Sequence, residues 1–383
     1  MVDLKRTLID MQLYGTGDQM MSKFAAVTSL AACLSVLGCG GPTEKERKVI
    51  NELTREMKEE CLGRMFVSLP KDFKWSPYAR VTLYYGRDAD FKTMDVSIAD
   101  TGVDQELFDR RVSERVAEIA SETNIGSGES VLKSHAREAS GVHFIERYQS
   151  FETDRAVTYE AHLLIEGVQV FVEGDAYSRD RDAVANNVRK LAGEISVASG
   201  ADGERGDRFC LGPLLIKSNQ DYEVVIFHAS GGRSQDGVLF EFYTSSMERS
   251  GSGETLGARV DEASDYLGSR MKVLRRGSVS VDGEEAEQAL VRFKQLEDRH
   301  SLSFGLWSMR TAPGLSRPSF TLSMSTQTEV GGESASAAAR NPIAFRELRD
   351  LPSGPVPIKF DSALTDEEAM GLWDAVVKSI RSR

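Results

Sequence analysis

Alternating apolar and polar positions predict β-strands in two parts of this chain, and each part also contains two segments with helical periodicity. In residues 104–123 the apolar positions recur at spacings of four, four and three, which places them on one face of a helix: Phe108, Val112, Val116 and Ile119. The segment from Asp366 to Ile380 has a similar pattern. Thr365 and Glu368 form a capping-box sequence at its start, which predicts where that helix begins.

The two parts follow the same order of predicted elements. In the first part, strands are predicted at 64–69, 80–86, 93–99, 131–137, 142–150, 156–166 and 168–178, and helices at 104–123 and 180–195. In the second part, strands are predicted at 212–217, 223–229, 238–245, 272–281, 285–295, 301–309 and 319–327, and helices at 255–270 and 366–380. Residues 331–353 interrupt the second pattern with small side chains and are predicted to be either a mobile excursion or a functional loop.

A short motif opens each part. The chain reads ECLGRMFVSLP from Glu60 and FCLGPLLIKSN from Phe209, which indicates a duplicated unit. We therefore predict an α+β fold of two similar domains, each an antiparallel sheet with helices packed on one face. The predicted boundaries are 42–60 for a helical tether, 61–196 for the N-terminal domain, 197–208 for a glycine-rich linker and 209–383 for the C-terminal domain.

Residues 1–41 are predicted to contain an export signal rather than a domain. A second methionine pair, Met20-Met21, precedes Lys23 and an apolar stretch that ends at Gly38-Cys39, so residues before Met20 are interpreted as an over-extended start. The stretch is shorter than the roughly 20 residues that span a bilayer. Its end resembles a bacterial lipobox, which makes Cys39 the predicted lipidated residue. Cys33 is the alternative.

Composition and charge narrow the classes of partner. The chain has 59 acidic and 47 basic residues and a formal net charge of −12. Such a balance argues against nucleic acid or an anionic membrane surface as the main partner. Contact with a membrane is therefore expected only through the lipid anchor.

Four cysteines leave one pair in the predicted mature domains. These are Cys61 and Cys210, which open the two repeats, so a disulfide between them is a candidate in an exported protein. The sequence does not show whether the two lie within bonding distance. It contains no CxxC or Cys/His cluster, so we predict no metal site and no cofactor.

Motifs for catalysis are missing from the sequence. It contains no G-x-S-x-G elbow, no H-E-x-x-H and no P-loop, and its five histidines are scattered along predicted strands. This favours a binding protein over an enzyme. Trp307 and Phe345 are candidates for a partner surface, with ordinary core packing as the alternative.

Taken together, these motifs resemble one bacterial family. The segment ending in Gly38-Cys39, the openings CLGRMFVSLP and FCLGPLLI, and the terminal LTDEEAMGLWDAVVKSIR are similar to the two-domain immunity proteins that neutralise lipase (phospholipase) effectors of the type VI secretion system. The signature positions are Cys61, Gly63, Arg64, Cys210, Gly212 and Pro213.

The resemblance implies a function without catalysis. Its two domains would act as a claw on a cognate lipase effector, as a heterodimer in the periplasm, and would block access to the active site or the opening of its lid. It implies no catalytic residues and does not identify the contact residues. The alternatives are an envelope lipoprotein with a structural or assembly role and no toxin partner, and a hydrolase with a concave site of convergent ionisable groups.

Overall fold

A computed structural model describes most of the chain beyond the predicted signal. The described residues are 41–75, 79–85, 92–198, 209–217, 219–231, 238–247, 255–294, 300–308, 313–326 and 364–383. Cys33, Cys39, Phe345 and almost all of the predicted 197–208 linker lie outside them.

The described residues form five α-helices and nineteen strands. The helices are α1 (Glu44–Thr54), α2 (Gln105–Ser121), α3 (Arg181–Gly193), α4 (Leu256–Leu267) and α5 (Asp366–Ser379). The strands are β1 (Met57–Gly63), β2 (Met65–Pro70), β3 (Lys74–Trp75), β4 (Arg80–Tyr85), β5 (Lys92–Thr101), β6 (Leu132–Arg137), β7 (His143–Ser150), β8 (Thr153–Ile165), β9 (Val168–Tyr177), β10 (Ile195–Val197), β11 (Phe209–Leu211), β12 (Leu214–Ile216), β13 (Tyr222–Gly231), β14 (Val238–Ser245), β15 (Met271–Val281), β16 (Glu284–Lys294), β17 (His300–Ser308), β18 (Ser319–Thr326) and β19 (Arg381–Ser382).

One large sheet runs through both halves of the chain. It has 13 strands in the order β15-β16-β17-β18-β14-β13-β4-β5-β9-β8-β7-β6, with β3 paired to β13 off this path. The halves meet where β4 pairs antiparallel with β13, in the register Val81↔Val225. Because backbone hydrogen bonds cross this seam, the two halves share one sheet.

A second sheet exchanges strands between the halves. Its six strands lie in the order β10-β12-β11-β1-β2-β19. β10, which follows the last helix of the N-terminal half, pairs with β12 of the C-terminal half. β19, which follows the last helix of the C-terminal half, pairs with β2 of the N-terminal half. This reciprocal arrangement is what a duplicated unit produces when its copies pair about a local two-fold axis.

The large sheet has a core face and an outer face. The core face carries the small sheet, because a Cβ on Gly63 would lie 2.9 Å from a methyl group of Val225. α3 lies on this same face, since a Cβ on Gly174 would meet Val184 and Val188 at 3.1 Å. Successive strand pairs connect Gly174, through β5 and β4, to the face of β13 that carries Val225, so Gly174 and Val225 lie on the same face of the large sheet.

The helices of each half cover both faces of the large sheet, whereas the sequence predicted one face. Arg115 of α2 contacts Glu160, which follows Tyr159, the strand partner of Gly174, by one position and therefore points to the outer face. In the C-terminal half, α4 packs over Gly305 on the outer face, and Trp373 of α5 reaches Gln288 on the core face. An apolar helix stripe shows that a helix packs, but not on which side of the sheet.

The α+β class with two sheet-based halves is confirmed. The helical tether is shorter than predicted: α1 ends at Thr54, and residues 57–60 belong to β1. These residues pair with β2 in the register Met57↔Pro70 to Glu60↔Val67, so hydrogen bonds to a neighbouring strand make them part of a sheet where the sequence predicted a helical tether.

Candidate functional site

The two copies of the repeated motif pair with each other at the centre of the small sheet. The register is Leu62↔Leu211 and Gly63↔Cys210, so β1 and β11 run antiparallel across the local two-fold axis. Cys61 and Cys210 are joined by a disulfide, with their Cα atoms 5.6 Å apart and 149 positions apart in sequence. The bridge therefore links the N-terminal half to the C-terminal half.

Glycine is required by backbone conformation in both copies. Gly63 has φ +68° and Gly212 has φ +56°, in the left-handed region that side chains disfavour. Gly63 turns the chain from β1 into β2, and Gly212 turns it from β11 into β12. The neighbouring Pro213 accepts a hydrogen bond at its carbonyl from the backbone N–H of Ala198, 2.8 Å away.

Arg64 crosses the junction from the N-terminal half. Its Nε donates to Oε1 of Glu223 at 3.1 Å and its Nη2 donates to Oε2 at 3.4 Å. Glu223 is fully buried and also accepts a hydrogen bond from Gln220 at 2.7 Å. Burial raises the pKa of Glu223 despite the charge of Arg64. All six signature positions thus lie at the junction of the halves, where they have structural roles.

A buried charge cluster lies beneath α2 on the outer face. Glu160 is fully buried and contacts Arg147, Arg115 and His162. Burial alone would raise the pKa of Glu160, but the charges of Arg147 and Arg115 and the hydrogen bond from His162 hold it well below the usual range of a glutamate. A carboxylate held ionised by two guanidinium groups is suited to fixing a helix on a sheet and is a poor proton donor.

Two histidines stack beside this cluster. Nε2 of His135 lies 3.1 Å from Nδ1 of His143, and the second ring nitrogen of His143 is 3.5 Å from Oδ1 of Asp109 in α2. Burial lowers the pKa of His143, and the charge of His135 lowers it further. Within the described residues no group of three potential metal ligands comes together. The stacked pair and Asp109 connect α2 to β6 and β7.

The central patch is the outer-face part of strands β4, β5, β13, β14 and β18. In the described part of the chain, α2 packs on β6–β8 at one end of the outer face and reaches β5 and β9 through Arg111, which contacts Asp100 and Gln169, and α4 packs on β15 and β16 at the other end. Strand register places the following side chains on this patch: Thr82, Tyr84, Asp95, Tyr222, Ile226, His228, Leu239, Glu241, Tyr243, Thr321 and Ser323. All of them are half-buried.

The chemistry of the central patch suits a protein partner. Three tyrosines and two aliphatic side chains are mixed with hydrogen-bonded polar groups, for example Ser323, which donates to Glu241 at 3.0 Å. His228 lies 3.3 Å from the same carboxylate. Partial burial, with Tyr243 and Asp95 nearby, raises the pKa of Tyr84. Tyrosine-rich surfaces with a satisfied polar component are typical of protein–protein interfaces.

The sequence did not identify this patch. Its residues are the alternate positions of ordinary strands, and only the pairing of β4 with β13 brings the two sets together. Of the two aromatic candidates from the sequence, Trp307 lies in β17, next to the patch, with its side chain outside the description. Among the described helices, none is long and apolar enough to cross a membrane.

Comparisons with known proteins assign both halves of the chain to the same family. Residues 58–196 match the family model "Tle cognate immunity protein 4 N-terminal domain", and residues 204–349 match the model of the corresponding C-terminal domain. A search of curated protein sequences gives no significant match.

Solved structures show the same fold at low identity. The chain is 17% identical to the apo immunity protein TplEi of the type VI secretion system from Pseudomonas aeruginosa, with a TM-score of 0.59, covering 85% of this chain and 97% of that one. It is 18% identical to a chain in the crystal structure of the Tle4–Tli4 complex, with a TM-score of 0.60, covering 86% and 98%. A TplEi structure with a bound peptide is 17% identical, with a TM-score of 0.54, covering 85% and 98%.

Proposed function

Because this chain belongs to the Tle cognate immunity protein 4 family, and is therefore an immunity protein for a lipase effector of the type VI secretion system, we propose that it inhibits that effector in the periplasm by binding it on the central patch. The family is one of immunity proteins, not of enzymes. The bound chain would cover the route to the lipase active site or hold its lid closed.

The observation that carries this proposal is the shared sheet. The central patch spans the seam between the halves, and α2 and α4 flank it from opposite ends, which suits the predicted claw-like grip on one partner. Hydrogen bonds, a disulfide and the Arg64–Glu223 pair all cross the seam. Binding to a surface that is already fixed avoids the ordering cost of joining two loose domains, which favours the tight binding that protection requires.

The disulfide supports the periplasmic part of the proposal. Structural disulfides persist in oxidising compartments such as the bacterial periplasm and are rare in the cytosol. Together with the lipobox-like segment at Cys39, the Cys61–Cys210 bridge favours an exported protein held on a membrane by a lipid. A diacylated and N-acylated cysteine would hold the chain firmly, whereas a single acyl chain would not.

Removing aromatic side chains from the patch tests the binding site. Tyr84→Ala with Tyr243→Ala should weaken binding to the cognate lipase by at least 30-fold, since tyrosines at interface centres often contribute about 2 kcal/mol or more. The binding constant is measured by calorimetry, and inhibition by hydrolysis of a soluble ester substrate.

The matched control is Phe151→Ala. Phe151 is also aromatic and is 49% exposed, but it lies in the turn between β7 and β8, away from the patch. We expect its removal to leave binding unchanged. Unchanged binding by the double tyrosine variant, with its fold retained by circular dichroism, would place the interface elsewhere.

A further inference from the structure

The first helix is fixed to the rest of the fold. α1 begins with a complete capping box between Thr43 and Glu46. Its Ile50 packs over Gly371 of α5 so closely that a Cβ at Gly371 would lie 2.6 Å from Ile50. Thr365, the N-cap of α5, donates from Oγ1 to Glu46 at 2.9 Å. The chain therefore enters the fold through a docked helix.

The position of α1 relative to the large sheet follows from α5. Arg292 of β16 is paired with Asp366 of α5 at 2.9 Å, and Trp373 donates from Nε1 to Gln288 at 3.3 Å, so α5 lies on the core face. α1 packs on α5 and thus forms an additional layer on that side. The central patch lies on the opposite, outer face of the same sheet.

The predicted anchor is close to this outermost layer. Cys39 precedes Thr43 by four residues, which can span at most about 14 Å when fully extended. The exposed side chains of α1 are polar and carry both charges, including Glu44, Lys45, Lys48 and Glu52, which suits contact with hydrated lipid headgroups.

We propose that α1 orients the anchored protein, with its polar side against the lipid headgroups and the central patch directed away from the membrane. This inference rests on the proposed lipid anchor and the proposed effector site. With helix layers spaced at about 8–10 Å and a helix on a sheet at a similar distance, the patch lies on the order of 25 Å from the lipid surface. An effector bound there is held off the bilayer that carries its inhibitor.

Energy transfer to the membrane tests the orientation. The full chain is expressed with its export signal and reconstituted into phosphatidylcholine–phosphatidylglycerol vesicles that carry acceptor dyes on their headgroups. Because Cys61 and Cys210 are bridged and Cys39 would be lipidated, an introduced cysteine gives one labelling site in the predicted mature chain. Donor dyes are placed by Asn51→Cys on the exposed side of α1, or by Tyr266→Cys on α4, where Tyr266 is 73% exposed on the outer-face side.

We expect strong transfer from position 51 and at least fivefold weaker transfer from position 266. Gly371→Leu should displace Ile50 and detach α1 from α5, so that α1 becomes a flexible tether and the two positions give similar energy transfer. Vesicle binding and inhibition of the lipase in solution should be retained. Ile50→Ala combined with Gly371→Leu lets the other helix supply the packed side chain and should restore the difference. Comparing these two variants thus separates the loss of packing between α1 and α5 from a general effect of the substitution at Gly371.

The outcomes distinguish the two proposals. Equal transfer from both positions in the unsubstituted chain, or stronger transfer from position 266, would overturn the orientation and leave inhibition in solution untouched. A chain that does not associate with vesicles would overturn the anchor and the orientation together, and lipase inhibition in solution would still support the binding function. Loss of inhibition with normal orientation would refute the proposed function alone.

Discussion

Reducing the Cys61–Cys210 disulfide should destabilise the folded chain strongly. The bridge closes a loop of 149 residues, so in the chain-entropy account it removes about 5 kcal/mol of conformational freedom from the unfolded state. This figure is an upper value, because residual structure in the unfolded chain lowers it. Both halves should be affected, since the bridge lies where their motifs pair.

The measurement is guanidinium unfolding of the same protein with and without a reductant. The chain has three tryptophans, of which Trp373 is fully buried in α5 and Trp75 lies in β3, so tryptophan fluorescence follows both halves, and far-ultraviolet circular dichroism follows all of the sheets. We expect the reduced chain to unfold at a lower midpoint by both probes. Its m-value should also be larger, because the uncrosslinked unfolded chain exposes more surface.

Cys61→Ala combined with Cys210→Ala serves as the matched variant and should unfold close to the reduced protein. Adding reductant to this variant should change nothing, which controls for effects of the reagent. Equal midpoints for the oxidised and reduced forms of the unsubstituted chain would refute the reasoning, because the bridge would then not restrict the unfolded state.

Three further predictions concern the junction and the buried charges. Gly63→Ala should lower the free energy of unfolding by about 2–4 kcal/mol, because it adds a steric clash to an unfavourable φ. The control is Gly102→Ala, at a residue with φ +73° and open space around it, which should lower the free energy of unfolding by only about 1–2 kcal/mol. Arg64→Met alone should cost about 3–5 kcal/mol by leaving Glu223 buried and unpaired, and the double variant with Glu223→Gln should recover part of that loss in a thermodynamic cycle. The pKa of His143 is lowered in the fold, so the unfolded state binds more protons below about pH 6.5 and the free energy of unfolding should fall as the pH drops through that value. His143→Phe should reduce the dependence of the free energy of unfolding on pH between pH 7.5 and 5.5. An unchanged pH dependence would assign it to other groups.

The local pattern of apolar and capping residues was sufficient to predict the long helices. The spacing of apolar residues gave α2, and the capping-box sequence at Thr365 and Glu368 gave the start of α5, where both reciprocal hydrogen bonds are present. These elements form because neighbouring residues along the chain favour them, and a single sequence contains that information.

Long-range pairing could not be predicted in the same way. β10 and β19 contain only three and two residues, and their hydrogen-bond partners come from the opposite half of the chain. The charged residues of β1 were predicted to belong to the helical tether and form a strand because β2 lies beside them. The central patch depends on the same kind of pairing, because its residues are ordinary strand positions in the sequence and come together only where β4 pairs with β13.

The exchange of β10 and β19 has a consequence for the order in which the fold can be completed. The edge of β2 is filled by Arg381 and Ser382, from the last strand of the fold, and the backbone N–H of Arg383 donates to the carbonyl of Arg64, 2.9 Å away. The outer edge of β2 in the small sheet is therefore paired only after residues more than 300 positions later have been synthesised. A chain synthesised from its N-terminus therefore cannot complete this sheet before its last strand has been made.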